Sequence, residues 1–151
     1  MANADVVMKR VSEGIELSQS GDRKASRRVF EELWEEIGGE PLHRCAVAHS
    51  MADVQDDVRD ELLWDRRALE AADLVSDERA AAAGVTLPVA GFYPPLHPNL
   101  GECSRKLGDF PRARHHLAVG QASARALPDD GDGRMITGGL QRLAERLFGG
   151  R

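Results

Sequence analysis

Long apolar runs are absent. Nothing in the 151 residues reaches the roughly 18 consecutive apolar positions of a membrane span, so no membrane partner is predicted. Met1 to Lys9 shows no basic segment leading into an apolar stretch, which predicts no signal peptide and a cytoplasmic protein. Cysteine is scarce. Cys45 and Cys103 cannot build a disulfide framework. Each reads as a small buried hydrophobe, with a redox pair as the alternative. Aromatic residues make up only 5%, and no basic stripe interleaved with aromatics occurs, so a nucleic-acid partner is not expected. Lysine is rare: Arg outnumbers Lys 17 to 3, read here as codon bias of a GC-rich bacterial genome rather than phosphate binding. The chain has no Gly-rich phosphate loop, Cys-x-x-Cys, HExxH or nucleophile elbow. No catalytic residue and no cofactor is therefore predicted, and the chain is expected not to be an enzyme.

What is present favours helices. Ala, Leu, Glu and Arg dominate, and they lose little side-chain freedom in a helix. Apolar residues recur at spacings of three and four: Val29, Phe30, Leu33, Ile37; Leu42, Cys45, Ala48 or His49, Ala52; Phe110, Ala113, Leu117, Ala124. Breakers separate these stripes at Ser20-Gly21-Asp22, Gly38-Gly39-Glu40-Pro41, Gly84 to Pro98, and Leu127 to Gly133. The spacing predicts helices over 4–20, 23–37, 41–55, 58–77, 95–107, 110–126 and 134–148. Residues 84–94 read as a surface loop. Short connections imply antiparallel neighbours.

One segment repeats a pattern. Residues 100–113 read LGECSRKLGDFPRA. Leu100, Gly101, Gly108, Asp109, Phe110 and Ala113, followed by Leu117 and Gly120, resemble a tetratricopeptide repeat. Gly14, Gly21, Asp22, Ala25 and Phe30 follow the same pattern more loosely, with Ala25 one place early. The segment from Pro41 to Ser76 has the right length but Asp56-Asp57 in place of the Gly-Asp turn. Gly21 to Asp56 is 35 residues, near the repeat's usual period of about 34. Asp56 to Gly108 is 52, so roughly 18 residues are inserted before the third pair.

The resemblance implies one all-α domain over 1–151, a right-handed superhelix of about three antiparallel helix pairs (about 4–37, 41–77 and 95–126). It also implies an insertion loop at about 79–94 and a terminal helix at about 134–148 that caps the last pair. It implies further that small Gly101 and Ala113 mark a close helix crossing. First helices of such pairs line a concave face that binds peptides or proteins. Ser12, Gln19, Ser50, Asp53, Asn99, Glu102 and Lys106 are the polar candidates for that face here. Arg105 and Lys106 are the sole paired bases in the third repeat, and the middle pair offers acids, which argues against a clamp for a C-terminal carboxylate. Asp53, Asp56, Asp57 and Glu102 give the face an acidic balance, so the expected partner is a basic or amphipathic segment.

His49, Asp53 and Asp56 fall at i, i+4, i+7 and share one helical face. Imidazole and carboxylates can ligate a metal, but three ligands on one helix need a fourth from elsewhere, so no metal is expected. The plain alternative is a polar face with a capping Asp. His115 and His116 diverge on a helix and read as surface. Two other classes stay open: a small-molecule or metal-binding enzyme with its site around His49 and Asp53, and a self-associating structural subunit.

Overall fold

A computed structural model describes residues 2–76, 78, 93–125 and 131–149. The expected loop at 84–94 and the start of the 127–133 loop lie mostly outside these residues. The chain divides into two compact units, Met1–Thr86 and Leu87–Arg151. Regular structure among the described residues is all helical, and the helices pack in adjacent pairs.

The first unit contains α1 (Ala2–Gln19), α2 (Arg23–Glu36), α3 (Pro41–Asp53) and α4 (Val58–Ala72). α1 ends because Gly21 adopts φ +97, a left-handed conformation that costs glycine nothing. Gly21 N–H then reaches Ser18 O (3.1 Å) and Asp22 N–H reaches Leu17 O (2.9 Å), which satisfies the last carbonyls of α1. Asp22 starts α2 by accepting a hydrogen bond from Ala25 N–H at 3.1 Å. The two helices cross where Gly14 meets Phe30. A Cβ at position 14 would stand 2.5 Å from the Phe30 ring. Ser26 completes the crossing, donating its hydroxyl to Gly14 O at 2.6 Å. The small crossing residue is therefore Ser26, not Ala25: it follows Gly14 by 12 residues, as Ala113 follows Gly101, so the first pair keeps the register of the second.

α3 packs against α1, α2 and α4. It is accordingly buried on most sides, from Leu42 to Ala52. Val11, Phe30, Leu33, Val47, Met51 and Val54 form the core of this unit. The α3–α4 turn lacks glycine and is held from outside. Arg27 of α2 donates to Val54 O at 3.1 and 2.5 Å, Arg23 reaches Asp53 O and Gln55 O, and both arginines bind Asp56. α4 stops five residues before the expected end at 77. Leu74 and Val75 N–H groups close onto carbonyls three residues back, and the buried Val75 follows the turn.

The second unit contains α5 (Tyr93–Lys106), α6 (Phe110–Ala124) and α7 (Gly131–Ala144). The α5–α6 turn repeats the first: Gly108 has φ +82, Asp109 N–H reaches Ser104 O at 2.8 Å, and Asp109 caps α6 through Arg112 N–H. Gly101 and Ala113 are buried at the crossing, where a Cβ on Gly101 would lie 3.5 Å from Ala113 O. α7 covers this pair with Leu140 and Leu143, which pack with Leu117. It starts at Gly131 rather than 134, so Gly131 to Gly133 are helical and not loop. Burial of Leu140 and Leu143 outweighs the poor helix propensity of those glycines. Its last turn widens to π geometry over Glu145–Gly149. No helix among the described residues is long and apolar enough to cross a membrane.

Candidate functional site

The chemically richest cluster of the first unit lies between α3 and α4. Glu40 and Pro41 fix the start of α3, the Glu40 carboxylate accepting from His43 N–H at 2.8 Å. Two turns on, His49 projects toward α4. Asp57 caps α4 through Arg59 N–H at 2.7 Å. Two turns on from there, Asp65 projects back. His49 Nδ1 and Asp65 Oδ1 are 3.8 Å apart, beyond a direct hydrogen bond but within ion-pair range.

Asp65 is 0% exposed. Neither of its carboxylate oxygens, nor His49 Nδ1, has a hydrogen-bond partner among the described residues. Buried carboxylates are normally paired, since an uncompensated one costs several kcal/mol. Burial pushes the Asp65 carboxyl up to about 6, against the opposing pull of His49. For His49, burial disfavours the charged ring, but Asp65 and Asp53 together outweigh it and raise the imidazole above its ordinary value. Asp53, one turn beyond His49, is exposed at the end of α3. Desolvation of its carboxyl by the neighbouring protein raises it, while His49 and Arg23 oppose the rise.

Asp56, the third member of the expected i, i+4, i+7 set, does not join this cluster. It turns to α2, paired with Arg23 at 3.3 Å and Arg27 at 3.1 Å, which hold its carboxyl below the usual range. The reason is local: α3 ends at Asp53, so position 56 no longer follows the helical face. Asp65 is the residue that sequence reasoning missed. It sits with Leu62, Ala68 and Ala72 on the buried stripe of α4, and a charge at an apolar-stripe position was the available signal.

The remaining expected site residues divide between the units. Ser12 and Gln19 lie exposed on α1, with Ile15 and Glu16 on the same face. Ser50 is a correction. It is buried, and its hydroxyl donates to Ala46 O at 2.8 Å, because α3 is enclosed by three helices and keeps only a narrow open edge. In the second unit Asn99 is half-buried and Lys106 exposed. Glu102 is bound by Arg105 and by Arg146, the latter at 2.5 Å, and these cations hold it low although burial opposes them. Two of the acids expected to give the face its charge, Asp56 and Glu102, are thus already neutralised within the fold.

Trp34 and Trp64 meet edge to face at 4.9 Å, flanked by Arg44 over Trp34 and Arg67 over Trp64. Cys45 and Cys103 are both buried thiols, and burial pushes Cys45 up to about 12, which removes its nucleophilic form. His116 is buried rather than at the surface, its Nδ1 3.1 Å from His97 Nδ1, while His115 is exposed as expected. No family model, curated protein or solved structure matches this chain.

Proposed function

We propose that this chain is a protein- or peptide-binding module of tetratricopeptide-like helix pairs and not an enzyme. The observation that carries the reading is the crossing geometry. Gly14 and Ser26 meet in a tight crossing beside Phe30, and Gly101 and Ala113 stand at the same spacing in a buried crossing where Leu143 of α7 presses closest on Gly101. Such pairs leave the outer side of each first helix available to a ligand. On α1 that side carries Ser12, Ile15, Glu16 and Gln19, all exposed, and Ile15 is an apolar residue 40% exposed within a polar stripe. Asp53 lies at the end of α3, which packs directly on α1. An exposed aliphatic beside carboxylates suits a basic, amphipathic segment, either helical or extended. Buried reduced thiols and an Arg-rich, Lys-poor composition fit a bacterial cytoplasm.

The test compares three baits in native extract: wild type, Ile15→Lys with Asp53→Asn, and the control Arg66→Gln with Glu70→Gln on α4. A protein held by wild type and control but lost from the first double variant supports the reading. The reverse pattern moves the interface to the second helices. If all three baits recover the same background and nothing else, the binding-module reading fails.

A further inference from the structure

We propose that the cleft between α2, α3 and α4, walled by Arg44 and Arg67 against Trp34, is a docking site for an acidic segment of a partner protein, in which a carboxylate side chain neighbours an aliphatic one. Trp34 and Trp64 pack on the core of the first unit and meet edge to face at 4.9 Å, so they form a fixed platform. The Arg44 guanidinium lies 4.0 Å from the centre of the Trp34 ring, and its Nη1 donates to Gly38 O at 2.9 Å. The Arg67 guanidinium lies 4.4 Å from the Trp64 ring and 5.8 Å from the Trp34 ring. Stacking occupies the face of a guanidinium and leaves its in-plane N–H groups to bind a carboxylate as a fork. Among the described residues Arg67 donates no hydrogen bond, and neither arginine lies in ion-pair range of a carboxylate.

Charge and shape select the occupant. The chain carries a net charge of -5, yet two arginines line this one cleft. Among the described residues Glu70 is its one lining carboxylate, and it is exposed. The cleft encloses about 170 Å³, which suits a side chain rather than a folded surface. Pro41 and Ala71 give it an apolar lining, and Leu74, 73% exposed, stands at its rim. A peptide carboxylate meets the guanidinium edges while the neighbouring aliphatic covers Leu74. A free phosphate would satisfy the arginines and leave Leu74 bare, so the peptide is the better match. Tryptophan and arginine are the side chains that most often carry binding energy at interfaces. Here stacking has already ordered them, which lowers the entropy cost of association. The cleft uses no residue of the α1 face, and neither reading rests on the other.

The test uses the full chain. Its two tryptophans, Trp34 and Trp64, both sit at the site, so their emission reads it directly. The probes are an array of short peptides that permute Asp, Glu, Leu and Phe, beside Asn/Gln and Lys/Arg counterparts. Captured peptides are then titrated in solution. The expected result is capture of acidic-apolar peptides over their amide counterparts, a saturable change in tryptophan emission, and weaker binding as salt rises. Arg44→Gln and Arg67→Gln should each weaken binding at least ~10-fold while leaving the helical circular dichroism intact. Glu70→Gln should tighten it by about 2–5-fold. Arg28→Gln, which removes an exposed arginine of α2 outside the cleft, should bind like wild type. Arg44 also holds Gly38 O, so if its variant does not fold, Arg67→Gln decides. The site is overturned if no acidic peptide is captured above its amide counterpart, if binding survives Arg67→Gln, or if Arg28→Gln loses as much. Inorganic phosphate that shifts the tryptophan emission where no peptide does would make the occupant a free anion and refute the peptide.

Discussion

The Gly14 crossing yields a stability change that can be worked from distances. In Gly14→Ala the new methyl stands 2.5 Å from Phe30 Cε1, 2.8 Å from Cζ and 3.2 Å from Cδ1. Carbon atoms in contact prefer about 3.5–4.0 Å, so the ring or the helix must move by roughly 1 Å. Phe30 is 1% exposed and packed among Val11, Leu33, Val47, Met51 and Val54, so the ring has no open space to enter. Separating α1 from α2 instead stretches the Ser26–Gly14 hydrogen bond, itself worth ~0.5–1.5 kcal/mol. Overpacking of this kind costs about 1–3 kcal/mol. Alanine returns about 1 kcal/mol in helix propensity. With the ring fully enclosed the cost falls in the upper part of that range, and the net expectation is a loss on the order of 1–2 kcal/mol. Both tryptophans, Trp34 and Trp64, lie in the first unit, so urea unfolding followed by their fluorescence reports on that unit alone. The midpoint should fall while the slope is unchanged. Gly39→Ala, where a Cβ meets nothing within 4 Å, is the neutral control. Adding Phe30→Leu to Gly14→Ala should recover part of the loss, a coupling of ~0.5–3 kcal/mol between the two sites. If Gly14→Ala is as stable as wild type or more so, as at an open helix position, the close crossing does not exist.

Ala113→Leu tests the corresponding crossing of the second unit, where Ala113 is fully buried; it should cost ~1–3 kcal/mol, and an unchanged melting temperature would refute the register. The Asp65–His49 pair sets a pH dependence of stability. Asp65 titrates near 6 when folded against ~3.9 unfolded, so its contribution to stability falls as pH rises from about 4 to 6, by at most about 3 kcal/mol. His49 is raised, so its contribution is present below about 6.5 and is lost as pH climbs through its folded value. Both slopes run the same way, and the wild type minus Asp65→Asn difference should decline from pH 4 upward; a rising difference would refute the assignment. Cys45, buried and pushed up to about 12, should resist thiol reagents at pH 8 until urea unfolds the first unit, and prompt labelling of Cys45 in native protein would contradict its burial.

Helix identity was legible because the signals were local. The Gly-Asp steps at 21–22 and 108–109 each encode a left-handed glycine followed by a capping aspartate, and both turns form in the same way. Stripes such as Phe30–Leu33 and Ala113–Leu117 follow from period alone. Less legible were features set by tertiary context. Asp56-Asp57 carries no glycine signal, and its turn depends on two arginines about thirty residues earlier in the chain. Ser50 looked like an open polar residue, yet three neighbouring helices enclose α3. Gly131 to Gly133 resembled a loop by composition, yet the chain is helical there, with the Thr137 hydroxyl donating back to Gly133 O at 2.9 Å.

The candidate site was half legible for a physical reason. A reader of one helix sees i, i+4, i+7 partners, and His49 with Asp53 and Asp56 satisfied that rule. A cluster between antiparallel helices draws its second member from the facing stripe, and no spacing within α3 announces it. The usable signal lay in α4, where Leu62, Asp65, Ala68 and Ala72 form a buried row with one acid in it. His49 interrupts the corresponding row of α3, beside Leu42, Cys45 and Ala52. Two interruptions on facing apolar rows are mutually informative, because a buried charge needs a counter-charge that surface water cannot supply. Packing gives no reason for Asp65, since an aliphatic residue of similar size would fill the same volume without desolvating a carboxylate. Its position 3.8 Å from the His49 imidazole is therefore an electrostatic feature of the α3–α4 pair rather than a packing one.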